Sequence, residues 1–372
     1  MDKLVDYIRW MGDFPISATG LRDVDAVILC ALSYFDFSPL FSAGGESYRV
    51  RDCQQMIEND SVKVLITGGD KGYPELLALA AASRRFGELT MSDYRDIYRQ
   101  DPPLQFSALC FQDDSDFSFL AYRGTDSSLA GWEEDFRISF TRTEAQEMAL
   151  RYANEHIRPG RRWYMGGHSK GSNLALYAAC LLDEEKWTAV EHLYLLDGPG
   201  FCPEVMKLSL VDRIDSKTTR IIPRFCIVGN LFAPKIHDTR IIQSAASGFM
   251  QHSIITWEVD HGGLALAENF DPIGKVTSEA LDEWISDINQ EDRTVLVMDL
   301  FETLAAGGAE MLEEIRIGDR NGMEAIIRRL GDSSESTKKM LIELPKYARR
   351  VRLEKLRKLI SALPAEVGLT RS

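Results

Sequence analysis

Apolar residues recur along this chain in two rhythms, a three-to-four-residue spacing and short unbroken runs, and the switches between them mark out its elements. Residues 1–50 read as helical, with a solid apolar segment over 26–32. Residues 75–87 and 91–98 read as two more helices, the second opened by the capping pattern Thr90-Met91-Ser92-Asp93. The rhythm then shortens. Residues 106–111 and 117–122, joined by Asp113-Asp114-Ser115-Asp116, predict a strand pair around a tight turn. A capping box at Thr143-Glu144-Ala145-Gln146 opens a helix in which Ala145, Met148, Ala149, Tyr152 and Ala153 fall on one side. Residues 163–165 predict a strand and 173–179 a helix, with further strands expected at 193–196, 221–228 and 254–259.

Strands alternating with helices predict an α/β fold, a mainly parallel sheet with helices on both faces and the 106–122 hairpin as its antiparallel edge. From residue 276 the pattern turns wholly helical, through 280–288, 295–304, 311–315 and 323–330. The expected organisation is therefore an α/β domain over 1–275 and a helical extension over 276–372. Within that extension the segment from Lys338 to Lys358 is basic, with Leu341, Leu344, Val351 and Leu356 interleaved. It suits an anionic membrane surface or a lid over a site. The plainer expectation is a helix packing one face on the domain and turning its charges to water.

Composition narrows the classes. With 372 residues, 45% hydrophobic and 27% charged, the chain has the make-up of a globular protein with a large core. A net charge of -14 argues against general nucleic-acid binding, which needs a basic face. The N-terminus lacks the apolar stretch of a signal peptide, and no apolar run approaches the roughly 20 residues of a membrane helix. The six cysteines lie in apolar segments without metal-ligand spacing, which suits buried thiols in a reducing cytoplasm. No metal or other cofactor is expected. Gly68-Gly69-Asp70-Lys71-Gly72 has no Gly-Lys-Ser/Thr after it and is not a phosphate loop.

The chemistry concentrates in Gly167-His168-Ser169-Lys170-Gly171. A G-x-S-x-G pentapeptide between a strand and a helix is a nucleophile elbow, a tight turn that lifts the serine hydroxyl to a helix N-terminus where backbone N–H groups favour negative charge. A serine needs a base to take its proton and an acid to orient that base. Of the six histidines, His156 and His192 precede strands rather than follow them, and His168 adjoins Ser169 and cannot fold back onto its hydroxyl. That leaves His237, His252 and His261, with His252 preferred as base and His261 as runner-up. Asp197 ends the 193–196 strand ahead of Gly198-Pro199-Gly200 and is the preferred acid, with Asp238 as the alternative. The oxyanion of an acyl-transfer intermediate needs two N–H donors. The Lys170 amide supplies one, and the Arg123-Gly124-Thr125-Asp126 turn after an earlier strand is placed to supply the other through Thr125.

These residues resemble a known family. Tyr122-Arg123-Gly124-Thr125, the nearby Trp132 and Asp135, and the elbow resemble class 3 (fungal-type) lipases of the α/β-hydrolase superfamily. Arg123–Asp126, Gly166–Ala175, Leu196–Phe201 and Gln251–Trp257, in that order, are most similar to a bacterial lipase-like family of unknown function, over approximately residues 20–260. The resemblance implies an α/β-hydrolase fold, Ser169 as nucleophile and Thr125 with Lys170 as oxyanion donors. The expected activity is cleavage of a small acyl ester; the competing expectation is a hydrolase-like scaffold that binds a lipid or protein partner. Two departures stand out. Class 3 lipases carry their acid after the next strand, where this chain has Gly229-Asn230-Leu231, and they favour an apolar residue and a glycine where this chain has Lys170 and Ser172. Lys170 suits an anionic or polar acyl substrate, but the plainer expectation is a solvated helix-start residue.

Overall fold

The computed structural model of the chain describes residues 2–42, 44–59, 61, 63–65, 72–99, 104–125, 137–271, 283–284, 286–289, 291–292, 295 and 349. The helices expected beyond residue 276, the basic 338–358 segment, Gly68–Lys71, Asp126, Trp132 and Asp135 lie outside the described residues or overlap them only in those last few positions.

The chain builds an eight-stranded sheet in sequence order. After β1 (Asp2–Lys3), its strands are β2 (Ser47–Arg49), β3 (Thr90–Arg99), β4 (Leu104–Gln112), β5 (Phe117–Tyr122), β6 (Arg162–His168), β7 (Val190–Leu196), β8 (Thr218–Pro223) and β9 (Asp238–Ile242). β2 to β5 pair antiparallel; β5 to β9 pair parallel. β1 joins β10 (Glu258–Asp260) and β11 (Gly263–Leu264) in a small second sheet.

Parallel strands laid down in order need right-handed crossovers that all step the same way, so their helices all fall on one face. The helices are α1 (Leu4–Met11), α2 (Asp23–Leu32), α3 (Tyr73–Ala82), α4 (Glu144–His156) and α5 (Lys170–Leu181), besides shorter ones. The crossover helices α4 and α5 pack with Leu120, Tyr122, Met165, Leu193 and Leu195. The opposite face takes its cover from the N-terminal helices, which pack with Phe117, Phe119, Ala121, Tyr194 and Leu196. Period-two alternation along β5 and β7 therefore divides each strand between two cores. Helix α2 lies at the centre of the second core. Every residue from Val24 to Leu32 is fully buried, which explains its unbroken apolar run.

One charge in that core is paid for locally. Asp25 at the start of α2 forms a bidentate pair with the buried Arg85 and accepts from Tyr7 Oη at 2.9 Å. Arg85 spends its remaining N–H groups on the Phe14 and Gly20 carbonyls and on Thr19. Burying such a pair is tolerable only when every proton is satisfied in this way.

Four sequence expectations need correction. Residues 91–98 are not a helix but most of β3. The register shifts between Ser92 and Arg95, with Asp93 at φ 59, so Met91 and Tyr94 face the same core three residues apart. A bulge thus imitates helical spacing. The 106–122 hairpin is not the sheet edge, because β2 and β3 extend the antiparallel part beyond it. The strand placed at 221–228 is β8, three residues earlier and ending at Pro223, and of 254–259 only the last two residues enter a strand.

Candidate active site

The carboxyl ends of the parallel strands converge on one place. β6 runs into Ser169, which takes φ 58 and ψ -127, and α5 starts at the next residue. The turn closes only because its flanks lack side chains. A Cβ on Gly167 would sit 2.2 Å from the Gly171 backbone, and one on Gly171 would sit 2.1 Å from the Tyr122 carbonyl oxygen. The Ser169 amide donates to the Leu196 carbonyl of β7 at 2.9 Å, fixing the elbow against the next strand.

Asp197 follows β7 directly. Its backbone is left-handed (φ 42) and its amide donates to the Ile221 carbonyl of β8 at 2.9 Å. The turn after it is held by Asn173 of α5, whose Nδ2 donates to the carbonyls of Pro199 and Gly200, both at 3.1 Å, while its Oδ1 accepts from Gln146. His252 ends a 3₁₀ turn, Gly248–His252, beyond β9.

These three side chains form one hydrogen-bonded chain. Ser169 Oγ lies 2.9 Å from His252 Nε2, and His252 Nδ1 lies 2.6 Å from Asp197 Oδ2. A carboxylate can only accept, so Nδ1 carries the proton and Nε2 receives the serine hydroxyl. Asp197 Oδ1 is occupied as well. It accepts from the Gly229 amide at 3.2 Å and from the Cys226 thiol at 2.9 Å. Burial by itself would raise the Asp197 carboxyl, but His252 beside it and the bonds donated by His252 and Cys226 outweigh burial and hold it below the usual carboxylate range. Arg220, buried under the same loop, donates to the Gly229 carbonyl at 2.5 Å and to Asn230 Oδ1 at 3.1 Å.

His168 has partners of its own. Its buried ring lies against that of His252, centroids 4.8 Å apart, with Nδ1 2.8 Å from Tyr34 Oη and Nε2 2.8 Å from the His252 carbonyl oxygen. Burial, helped by the charge of His252, lowers its pKa to about 3, so the ring is neutral.

The remaining sequence candidates fall as follows. Thr125 is buried just past the end of β5, beside Arg123, whose guanidinium pairs with Asp96 at 2.7 and 3.1 Å. Lys170 is buried in the first turn of α5, not solvated. Asp238 opens β9 and spends its carboxylate on Thr219 and Arg240. His261 projects into solvent beside Asp260, and His237 is exposed. His156 packs on Tyr152, and His192 meets Thr219 at 2.8 Å. All six cysteines are free and buried. Among the described residues no group of three or more His, Cys, Asp or Glu is arranged to hold a metal ion, and no helix is long and apolar enough to cross a membrane.

Sequence reasoning missed Tyr34, Cys226, Gly229 and Arg220 as parts of this site, and it read His168 as a bystander. Each reaches the site through the fold rather than through a local pattern. The absent carboxylate at Gly229 was the one available clue. A Cβ there would sit 2.5 Å from Asp197 Oδ1, so the space beside the His252 partner is already filled by the acid from β7.

No curated protein matches the sequence. The crystal structure of an M37 lipase is similar to the chain with a TM-score of 0.33 and 16% identity, over 55% of this chain and 68% of that one. A family model described as Mbeg1-like matches residues 80–302, more than half of the chain, and the chain belongs to that lipase-like family.

Proposed function

We propose that this protein is a serine hydrolase that cleaves a carboxylic ester. The observation that carries the reading is the Ser169–His252–Asp197 chain, with its 2.9 and 2.6 Å links between three residues that follow β6, β7 and β9. In the proposed cycle Ser169 Oγ attacks the acyl carbon as His252 Nε2 takes its proton, and Asp197 steadies the imidazolium that forms. Collapse of the tetrahedral intermediate breaks the ester bond, and His252 returns the proton to the departing alcohol. Water, deprotonated by the same nitrogen, then frees the acid from Ser169. The backbone amides of Lys170 and Thr125 are the proposed donors to the oxyanion. The left-handed turn at Ser169 supports this arrangement, since it sets the hydroxyl at the head of α5.

A fluorophosphonate probe tests the reading. Wild type is expected to form one covalent adduct on Ser169, located by peptide mass spectrometry, and Ser169→Ala is expected to form none. A folded wild-type protein that stays unlabelled where an authentic lipase reacts overturns it.

A further inference from the structure

The elbow contributes a second polar residue, and the cycle above does not use it. His168 Nε2 lies 2.8 Å from the backbone carbonyl oxygen of His252, an atom that can only accept. Nε2 must therefore carry the proton. In a neutral ring Nδ1 is then an acceptor, and the atom facing it is the Tyr34 hydroxyl at 2.8 Å. The carbonyl fixes the tautomer, and the phenol, which can donate or accept, answers it by donating to Nδ1.

The carbonyl being held matters because of where it sits. His252 ends a short 3₁₀ turn with Met250 exposed at its outer side. The preceding carbonyl, Gln251 O, is held by the indole N–H of Trp257 at 3.0 Å, and the Gln251 side chain accepts from the Phe225 amide at 3.0 Å. Trp257, itself fully buried, meets the His168 ring edge-on at 5.9 Å. Of the ring N–H groups that grip the His252 turn, the one on His168 comes from the sheet, one residue before the serine itself. It sets the distance between base and nucleophile by a single short link.

We propose that Tyr34 and His168 are positioning residues for His252: Tyr34 anchors the His168 ring by donating to Nδ1, and the Nε2–H of that ring pins the His252 backbone so that its imidazole meets both Ser169 Oγ and Asp197. The inference rests on the reading of His252 as the base. The neutral state of His168 belongs to the same design. A proton on His168 would put a second cation against the His252 ring, 4.8 Å away, at the moment His252 takes the serine proton. A ring that cannot change its tautomer and stays uncharged supports the imidazolium without competing with it. A purely space-filling role would leave both nitrogens without function, and a phenylalanine would serve as well.

The test uses the full-length chain in two measurements. In ¹⁵N-histidine NMR at pH 7, with His168 assigned by its absence in His168→Phe, the wild-type ring is expected to have a protonated Nε2 and a bare Nδ1. In Tyr34→Phe the Nδ1 signal is expected to move as its hydrogen bond is lost, while Nε2 stays protonated. With p-nitrophenyl acetate, Tyr34→Phe and His168→Phe are expected to lower kcat about tenfold or more with KM little changed, and fluorophosphonate labelling of Ser169 is expected to slow in step, as the loss of one buried hydrogen bond implies. A wild-type His168 protonated on Nδ1, or a Tyr34→Phe variant with unchanged spectrum and kcat, overturns the inference and leaves the hydrolase reading standing. If wild type fails to react with either probe, the hydrolase reading falls, and the NMR measurement still decides whether Tyr34 bonds Nδ1 of His168 and Nε2 carries the proton.

Discussion

The two halves of the sheet are built from similar residues and used in opposite ways. In the antiparallel half, β2 to β5, successive strands enter from alternate ends, so loops and polar groups are shared between both edges. In the parallel half, β5 to β9, every strand delivers its carboxyl end to the same side. Ser169, Asp197, the Cys226–Gly229 loop and His252 all follow parallel strands, and all meet. The end of β5, the strand shared by the two halves, carries Arg123 and Thr125. The lesson is that direction, more than composition, gathers reactive groups: each parallel strand hands one loop to a common crevice.

Three measurements probe that contrast, the largest effect first. On the parallel side, Asp197→Asn keeps the shape of the acid but removes its charge and invites the wrong histidine tautomer. It is expected to cut kcat by about 10⁴-fold, with slower fluorophosphonate labelling and little change in far-ultraviolet circular dichroism. On the antiparallel side, Asp96→Ala takes the carboxylate from the buried Arg123 guanidinium. We expect this to cost about 3 kcal/mol of stability in urea unfolding, with the smaller catalytic loss traced to the displaced Arg123–Thr125 turn. If Asp96→Ala removed activity as thoroughly as Asp197→Asn, the two halves would not be functionally distinct.

The third measurement concerns pH. His168 has its folded pKa depressed to about 3 from an ordinary 6.5, because burial disfavours the charged ring. The unfolded chain therefore binds a proton on this residue between those values and the folded chain does not. The stabilisation is full above pH 6.5 and drains away as the pH falls toward 3. Burial pushes His156 and His192 the same way, and they add to the slope. Urea unfolding from pH 7 to 4 is expected to give a shallower decline for His168→Phe than for wild type.

Much of this architecture was legible in the sequence, for reasons that differ from place to place. The elbow could be read because its glycines are sterically obligatory within five residues. β4 and β5 could be read because both faces of each strand are buried, which leaves apolar runs over 106–111 and 117–122 broken only by Ser107 and Ser118. Three histidines could be set aside by elimination, and His252 and Asp197 were preferred for their places, one after the last parallel strand and the other at a strand end before Gly198-Pro199-Gly200. β3 was misread because the bulge at Asp93 breaks its period, and its outward residues, Arg95 and Arg99, reach Glu155 and Glu144 as helix-surface residues would. Lys170 looked like a solvated helix start and is buried. The partners of His168, and those of Asp197 other than His252, could not be read, because Tyr34 lies 134 residues from His168 and Cys226 lies 29 from Asp197. Contacts of that reach are decided by topology.

The backbone at Ser169 carries a cost that the chemistry alone does not reveal. A φ of 58 with ψ of -127 is a conformation that suits glycine and strains every other residue. The serine is therefore the wrong residue for its own fold, and the neighbouring strands, the Leu196 carbonyl and the close-fitting α5 must hold it there against its preference. Stability and reactivity pull in opposite directions at this one position. A chain tuned only to stay folded would have put a glycine between His168 and Lys170.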